Sequence, residues 1–126
     1  MRIIGIGVDV VNPARVLRLY NKFGTRFLDR AFHPSEVSHA LELKSTHLGT
    51  FLSSRWAAKE ALHKAIGTKR FLFPDIEVFR DEAKGPPSLR LHNEAARYQH
   101  LHGLGFLVTL SHEENLSIAF VVASKK

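Results

Sequence analysis

The sequence predicts an α+β fold in which an antiparallel sheet packs against one long helix. Three stretches carry that expectation. Ser45 to Ile66 contains no proline and ends at Gly67, the pattern of a long helix closed by a glycine cap. Phe106–Leu110 and Leu116–Ala123 are apolar strand patterns flanking the turn-rich Ser111-His112-Glu113-Glu114-Asn115, which reads as a hairpin. Arg2 to Val11 interleaves Ile, Gly and Val around a single acid, Asp9, and reads as a mostly buried strand.

Between these stretches the elements follow in order. Asn12-Pro13 opens a helix, Asn12 as N-cap and Pro13 in the first turn, that runs to Phe23 and stops at Gly24. Its apolar side is Val16, Leu19, Tyr20 and Phe23, and Arg15, Arg18 and Lys22 form a basic stripe that Arg26 and Arg30 extend. Thr25 to Phe32 predicts a short helix, and Pro34-Ser35-Glu36 opens another through Leu43. Ser45-Thr46 is expected to cap the long helix. Asp75–Arg80 and Ser88–His92 predict a hairpin across the loop 81–87. Asn93 is expected to cap a short helix through Leu101, broken by Gly103 and Gly105. No repeat, low-complexity tract or linker interrupts the 126 residues, so residues 1–126 are expected to form a single domain.

The long helix holds charges where apolar residues belong. At about 100° per residue, Leu48, Phe51, Leu52, Ala58, Leu62, Ala65 and Ile66 share an apolar arc, and Arg55 and Lys59 fall inside it. A cation facing a core must find an anion, because an unpaired buried charge is expensive. Glu60 and Lys64 lie one turn apart at the edge of the arc. They are either a solvated ion pair or part of a site. The alanines at 57, 58, 61 and 65 leave room for a backbone or a ligand to approach.

Composition narrows the partner class. Eighteen basic against twelve acidic residues give a formal charge of +6, which favours an anionic partner such as a nucleic acid, a phosphorylated small molecule or an acidic protein surface. There is no cysteine, hence no disulfide framework and no cysteine-ligated zinc. No segment approaches the roughly 20 apolar residues of a membrane span, and the amino terminus lacks a signal or transit pattern. A cytoplasmic protein without a membrane partner is expected, with a mitochondrial or other organellar location as the alternative. Gly5-Ile6-Gly7 lacks the third glycine of a dinucleotide loop, and no Walker loop, zinc motif or Ser-His-Asp order is present. The acids suited to a hard metal are Asp9, Glu60 and the pair Glu113-Glu114. Magnesium needs only one or two carboxylates when phosphates and water complete its octahedron. For His112 the alternatives are a turn histidine and a phosphate-binding one; the other seven histidines show no metal spacing.

Taken together, Gly5-Ile6-Gly7-Val8-Asp9-Val10-Val11, Arg55-Trp56-Ala57-Ala58-Lys59-Glu60-Ala61-Leu62-His63-Lys64-Ala65 and Leu110-Ser111-His112-Glu113 resemble the three signatures of the small holo-acyl-carrier-protein synthases, which are 4′-phosphopantetheinyl transferases. The resemblance spans almost the whole chain, and W/F-x-x-K-E-[A/S]-x-x-K is its specific part. It implies an Mg²⁺-dependent enzyme that moves the phosphopantetheine arm of coenzyme A onto a serine of an apo acyl carrier protein, releasing adenosine 3′,5′-bisphosphate. Asp9 and Glu60 would ligate Mg²⁺ and Lys64 would hold a phosphate, making these three the catalytic set. A metal-bound water or Glu60 would be the base, and Lys59 a structural or site-orienting cation.

The resemblance also implies a homotrimer with sites shared between subunits. Phe51, Arg55 and His112 would reach a coenzyme held mainly by the neighbouring subunit, and Gly85 and Pro87 match a Gly-x-Pro turn beside the adenine. Gly67 would lie in the cofactor-binding turn after the lysine helix, although Gly67-Thr68-Lys69 departs from the common Gly-Thr-Gly. Arg15 matches an arginine that contacts the carrier protein, and Arg18, Lys22 and Arg26 would extend that docking surface. His47 stands where an arginine often binds the 3′-phosphate, so those contacts are left open. Two readings from other classes stand beside this one. A nucleic-acid-binding module using the basic stripe would lack the interleaved aromatics expected for single strands, and a carrier-binding protein without catalysis would have no need of both Asp9 and Glu60.

Overall fold

The computed structural model describes residues 1–82 and 84–126. Strand β1 (Arg2–Val11) leads into α1 (Pro13–Phe23), α2 (Thr25–Ala31), α3 (Pro34–Glu42) and the long α4 (Ser45–Ile66). A 3-10 turn at Phe73–Asp75 precedes the hairpin β2 (Ile76–Phe79) and β3 (Ser88–Leu91). Then come α5 (Asn93–His102) and the hairpin β4 (Leu104–Glu113) and β5 (Leu116–Lys125). The expected antiparallel sheet divides in two. One sheet has the order β1-β5-β4, and the β2–β3 pair forms the other. Of the predicted 81–87 loop, Ala83 lies outside the described residues.

Helix α1 begins as expected, with the Asn12 side chain accepting from the Ala14 N–H at 2.9 Å, and Gly24 closes it at φ 62°. Two other expected caps differ. Lys44, with no side-chain bond, is the N-cap of α4, so Ser45 and Thr46 already lie inside the helix. Asn93 occupies the first position of α5 at φ 54°, and its amide donates to Asp75 at 2.9 Å instead of capping. Asn tolerates that left-handed conformation better than most residues. The closing hairpin is tighter than predicted: Ser111, His112 and Glu113 belong to β4, His112 lying opposite Ser117. Gly105 continues β4, and Gly103 alone ends α5.

Helix α4 is buried over more than the predicted arc. Ser53, Ser54, Ala57, Ala61 and His63 are buried along with Leu52, Ala58, Leu62 and Ala65, because the three-stranded sheet packs on α4 and α1, α3 and β2 pack on it as well. The alanines meet the glycines of β1. A Cβ at Gly5 would stand 1.9 Å from the Ala65 carbonyl oxygen, and one at Gly7 would stand 2.0 Å from that of Ala61. Only glycine lets the strand lie this close to the helix. A buried hydroxyl pair, Ser53 to Ser117 at 2.7 Å, joins α4 to β5.

Strand β1 is buried on one face, not on most of its surface. Gly7 and Val11 turn inward, while Ile6, Val8 and Val10 are 62%, 46% and 53% exposed. Leu107 of β4 and Phe120 of β5 also face outward, at 72% and 37%. The fold thus leaves one side of its main sheet apolar and open.

The two cations on the arc of α4 meet different fates. Lys59 is fully buried, and its ammonium donates to Glu36 at 2.6 Å and to the carbonyls of Ala31 and Phe73 at 3.0 Å each. Glu36 also accepts from the backbone N–H of His33 at 2.8 Å and of Val78 at 2.9 Å. Burial lowers the Lys59 pKa, and Glu36 opposes that shift. Lys59 therefore has the structural role expected of it. Arg55, in contrast, finds no carboxylate within ion-pair distance among the described residues.

Candidate active site

Asp9 extends from the face of β1 that carries Gly5 and Gly7, opposite Ala119 of β5. Close contact between β1 and α4 brings it within reach of the helix edge. Lys64 donates to Asp9 Oδ1 at 3.1 Å and to the Val8 carbonyl at 3.0 Å. Glu60, one turn earlier on α4, is 27% exposed and pairs loosely with Arg70 at 3.4 Å. The surface ion pair open to Glu60 and Lys64 is therefore not made, since Lys64 turns to Asp9. Gly67 ends α4 at φ 84°, its N–H donating to the His63 carbonyl at 2.8 Å.

A second group lies toward the other end of α4. Phe51, Arg55 and His112 line one cavity of about 390 Å³ together with His47, Ser54 and Arg80. Phe51, Arg55 and Arg80 also line an adjoining cavity of about 350 Å³. The Arg55 guanidinium lies 4.3 Å from the centre of the Phe51 ring, whose other close partner is the His39 ring at 4.7 Å. Its Nη1 donates to Ser54 at 2.9 Å, while Nε is buried without a partner. Burial pushes the Arg55 pKa down to about 10, with Glu36 opposing and Arg80 adding to the shift. The group is thus still charged at neutral pH, with an unused donor beside a cavity. Arg80, which sequence reasoning did not single out, bonds the Gly85 carbonyl and so ties the Gly85–Pro87 turn to this cavity. The two groups do not share one cavity: Asp9, Glu60 and Lys64 are absent from the lining of either pocket. Lys64 is 13 residues beyond Phe51, about 20 Å along the helix.

The basic stripe is exposed as predicted: Arg15, Arg18, Lys22 and Arg26 all face solvent. None forms an ion pair among the described residues. Beside it an apolar cleft of about 300 Å³ is lined by Leu19, Phe23, Arg26, Phe27, Arg30 and Trp56.

With this geometry in hand, comparison with known proteins is decisive. The model of the 4′-phosphopantetheinyl transferase superfamily matches residues 5–121. The chain belongs to that family. A holo-[acyl-carrier-protein] synthase of Halothermothrix orenii is 40% identical over 124 residues, covering 96% of this chain and 97% of the relative. Among solved structures, the holo-[acyl-carrier-protein] synthase of Neisseria meningitidis superposes with a TM-score of 0.87 at 33% identity, covering 98% of this chain and 99% of that one. That of Bacillus anthracis, in complex with CoA (3′,5′-ADP), superposes with a TM-score of 0.82 at 29% identity over the whole of both chains. The α+β fold and the transferase class expected from the three signatures are therefore those of the family. No helix among the described residues is long and apolar enough to cross a membrane.

Sequence spacing missed a further cluster. His33, Glu77 and His92 converge from three elements. Burial alone would raise the Glu77 pKa, but hydrogen bonds from Ser35 and His92, with His33 and Arg90 nearby, hold it below the usual carboxylate range. Burial lowers the His33 pKa, and Glu77 opposes that shift. No periodicity flags these residues, because they are separated by 44 and 15 positions.

His63, inside the signature helix, is 4% exposed and accepts at Nε2 from the Phe71 N–H at 2.9 Å. Burial, with Arg70 adding repulsion, pushes its pKa from 6.5 down to about 4. The unfolded chain therefore binds a proton between about pH 6.5 and 4 that the folded chain refuses. The stability this contributes is complete above pH 6.5 and is lost as pH falls toward 4. Denaturant midpoints measured across this window should fall for the wild type and fall distinctly less for His63→Gln, whose amide can keep an acceptor for Phe71. Equal slopes for the two proteins would remove His63 from the acid response.

Proposed function

We propose that this chain transfers the 4′-phosphopantetheine arm of coenzyme A to a serine of an apo acyl carrier protein, acting as a holo-acyl-carrier-protein synthase of the cytoplasm or an organelle. The observation that carries the reading is the bond from Lys64 of α4 to Asp9 of β1, with Glu60 one turn before Lys64 on the same helix. Asp9 and Glu60 are half-buried carboxylates whose ion-pair partners among the described residues are exposed cations, Lys64 at 3.1 Å and Arg70 at 3.4 Å. Hard oxygen donors of this kind fit Mg²⁺, and two of them leave coordination positions for water and pyrophosphate oxygens. Asp9 and Glu60 would hold the ion, which when bound neutralises charge on the pyrophosphate.

Phosphoryl transfer is mainly positioning and charge stabilisation. The carrier serine oxygen forms a bond to the phosphorus that bears pantetheine. The bond from that phosphorus to the bridging oxygen breaks, and adenosine 3′,5′-bisphosphate leaves with the electron pair. Lys64, 55% exposed and mobile enough to leave Asp9, meets the negative charge developing there. The serine proton passes to Glu60 or to water beside it. Phe51, Arg55, His112, Gly85 and Pro87 are assigned to the nucleotide, with the Arg55 guanidinium as a positive charge for it.

In this reading the two halves of the site belong to different subunits of a homotrimer. Support comes from their separation along α4 and from the open apolar sheet face of Ile6, Val8, Val10, Leu107 and Phe120, which a second copy would cover. The basic face of α1, Arg15, Arg18, Lys22 and Arg26, is assigned to the acidic carrier. Charge there speeds encounter and fixes orientation.

Incubation with coenzyme A, Mg²⁺ and an apo carrier should add one phosphopantetheine mass to the carrier. Asp9→Ala and Glu60→Ala should each lower the rate by about a hundredfold or more while leaving the fold intact; full activity in either variant refutes the metal assignment. Arg15→Glu should raise the carrier KM about tenfold and leave kcat near the wild-type value, and an unchanged KM would take Arg15 off the docking surface. Val8→Glu should convert a trimer in sedimentation into monomer and abolish transfer. A monomeric wild type would sink the shared-site assignment.

A further inference from the structure

The cluster of His33, Glu77 and His92 has the chemistry of a site for a borderline divalent metal, and it stands apart from Asp9 and Glu60. One candidate ligand atom of each residue lies within 4.8 Å of the other two. His92 Nε2 is 2.9 Å from Glu77 Oε1, and His33 Nδ1 is 3.8 Å from Glu77 Oε2. In a tetrahedral zinc site with bonds near 2.0–2.1 Å, neighbouring ligand atoms stand about 3.3 Å apart, between those two separations. Because the two rings are nearly parallel, one of them must rotate out of the stack for both in-plane lone pairs to converge on one ion. The two imidazoles are stacked, with centroids 4.3 Å apart and planes 18° from parallel, and each presents a nitrogen to the same carboxylate.

The backbones beneath these side chains are fixed. The His33 N–H is bonded to Glu36 and the His92 N–H to the Asp75 carbonyl at 2.8 Å each. Glu77 lies within the β2–β3 ladder opposite Arg90. Ser35 Oγ donates to Glu77 Oε2 at 2.6 Å, the kind of bond that orients a ligating carboxylate. The ring side chains are 21% and 28% exposed, which leaves a path for an ion, whereas Glu77 is 8% exposed. Three groups stand in the way: the Ser35 hydroxyl, 2.9 Å from His33 Nδ1, would have to turn wholly to Glu77, and the other two can yield. The Arg90 guanidinium, 3.4 Å from Glu77, belongs to a side chain 53% exposed and can swing into solvent. The His33 Nδ1 lone pair now accepts from the Ser35 N–H at 3.1 Å, a cap that an ion would replace.

We propose that His33, Glu77 and His92 bind one zinc-type divalent cation, with water in the fourth position, tying the start of α3 to the β2–β3 hairpin. Two imidazoles and one carboxylate select zinc and its transition-metal neighbours over magnesium, which prefers all-oxygen sites. The ion would act as a staple beside Glu36, whose carboxylate already joins α3 to β2 through Val78. The assignment is independent of the transferase reading.

The test uses the untagged full chain, stripped of metal with chelator and titrated with Zn²⁺ against a chromophoric competitor. The variants are His33→Ser, which keeps a good N-cap residue at the start of α3, and His92→Gln. The wild type should take up one equivalent of Zn²⁺, and its melting temperature should rise as it does so. Each variant should bind about a hundredfold more weakly or worse. Co²⁺ in place of Zn²⁺ should give the intense visible bands of a tetrahedral site in the wild type only, and a large excess of Mg²⁺ should leave the Zn²⁺ titration unchanged. Circular dichroism of the metal-free proteins checks folding; if one variant is unfolded, the other decides. Absence of stoichiometric uptake, or one equivalent bound equally by wild type and a folded variant, overturns the proposal.

Discussion

The ammonium of Lys59 inside the protein is the constraint on which the rest of the structure depends. It has no water, so it must spend its three protons on Glu36, Ala31 and Phe73. Glu36, equally dry, divides its remaining capacity between the N–H groups of His33 and Val78. One ion pair thereby ties α4 to α2, α3, the 3-10 turn and β2. Removing either partner alone would strand a buried charge, at a cost of about 3–5 kcal/mol. The pair also sets the rotation of α4. With Lys59 pointing into the helix layer, the next residue, Glu60, comes to the edge, and Lys64 one turn later faces β1.

Rotation alone would not assemble the seam. The strand must also approach the helix closely, which follows from the absence of side chains at Gly5 and Gly7 where the carbonyls of Ala65 and Ala61 arrive. The same approach that denies those positions a Cβ delivers Asp9 to Lys64. Charge placement and backbone packing are thus one design: the polar seam exists because the apolar contact beside it is so tight.

How much of this was legible depended on whether the signal was local. The length of α4, its glycine stop and the inward aspect of Lys59 follow from spacing within one helix, and Asp9 stands out as the single acid in an apolar strand. The identity of Lys59's partner does not follow, because Glu36 lies 23 residues away and looks like an ordinary first-turn acid of α3. The convergence of His33, Glu77 and His92 is invisible for the same reason, as is Arg80 beside Arg55. Strand β1 misled in another way. Its apolar run suits a strand covered on both sides, yet Ile6, Val8 and Val10 are open in the single chain. Composition records an apolar strand without saying which of its faces the fold itself covers.

The pairing of β1 with β5 has a consequence for how the protein folds. Arg2 lies opposite Lys125 and Val11 opposite Ser117, so β1 pairs with the strand furthest from it in sequence. Neither neighbours in sequence nor an early hairpin can satisfy β1, since β5 is its only strand partner among the described residues. Contacts of such high sequence separation form slowly. Until β5 is in place, the isoleucines and valines of β1 form an unpaired, apolar strand, the kind of segment prone to aggregation. The segment bearing Asp9 therefore takes its place in the sheet only when this long-range pairing closes.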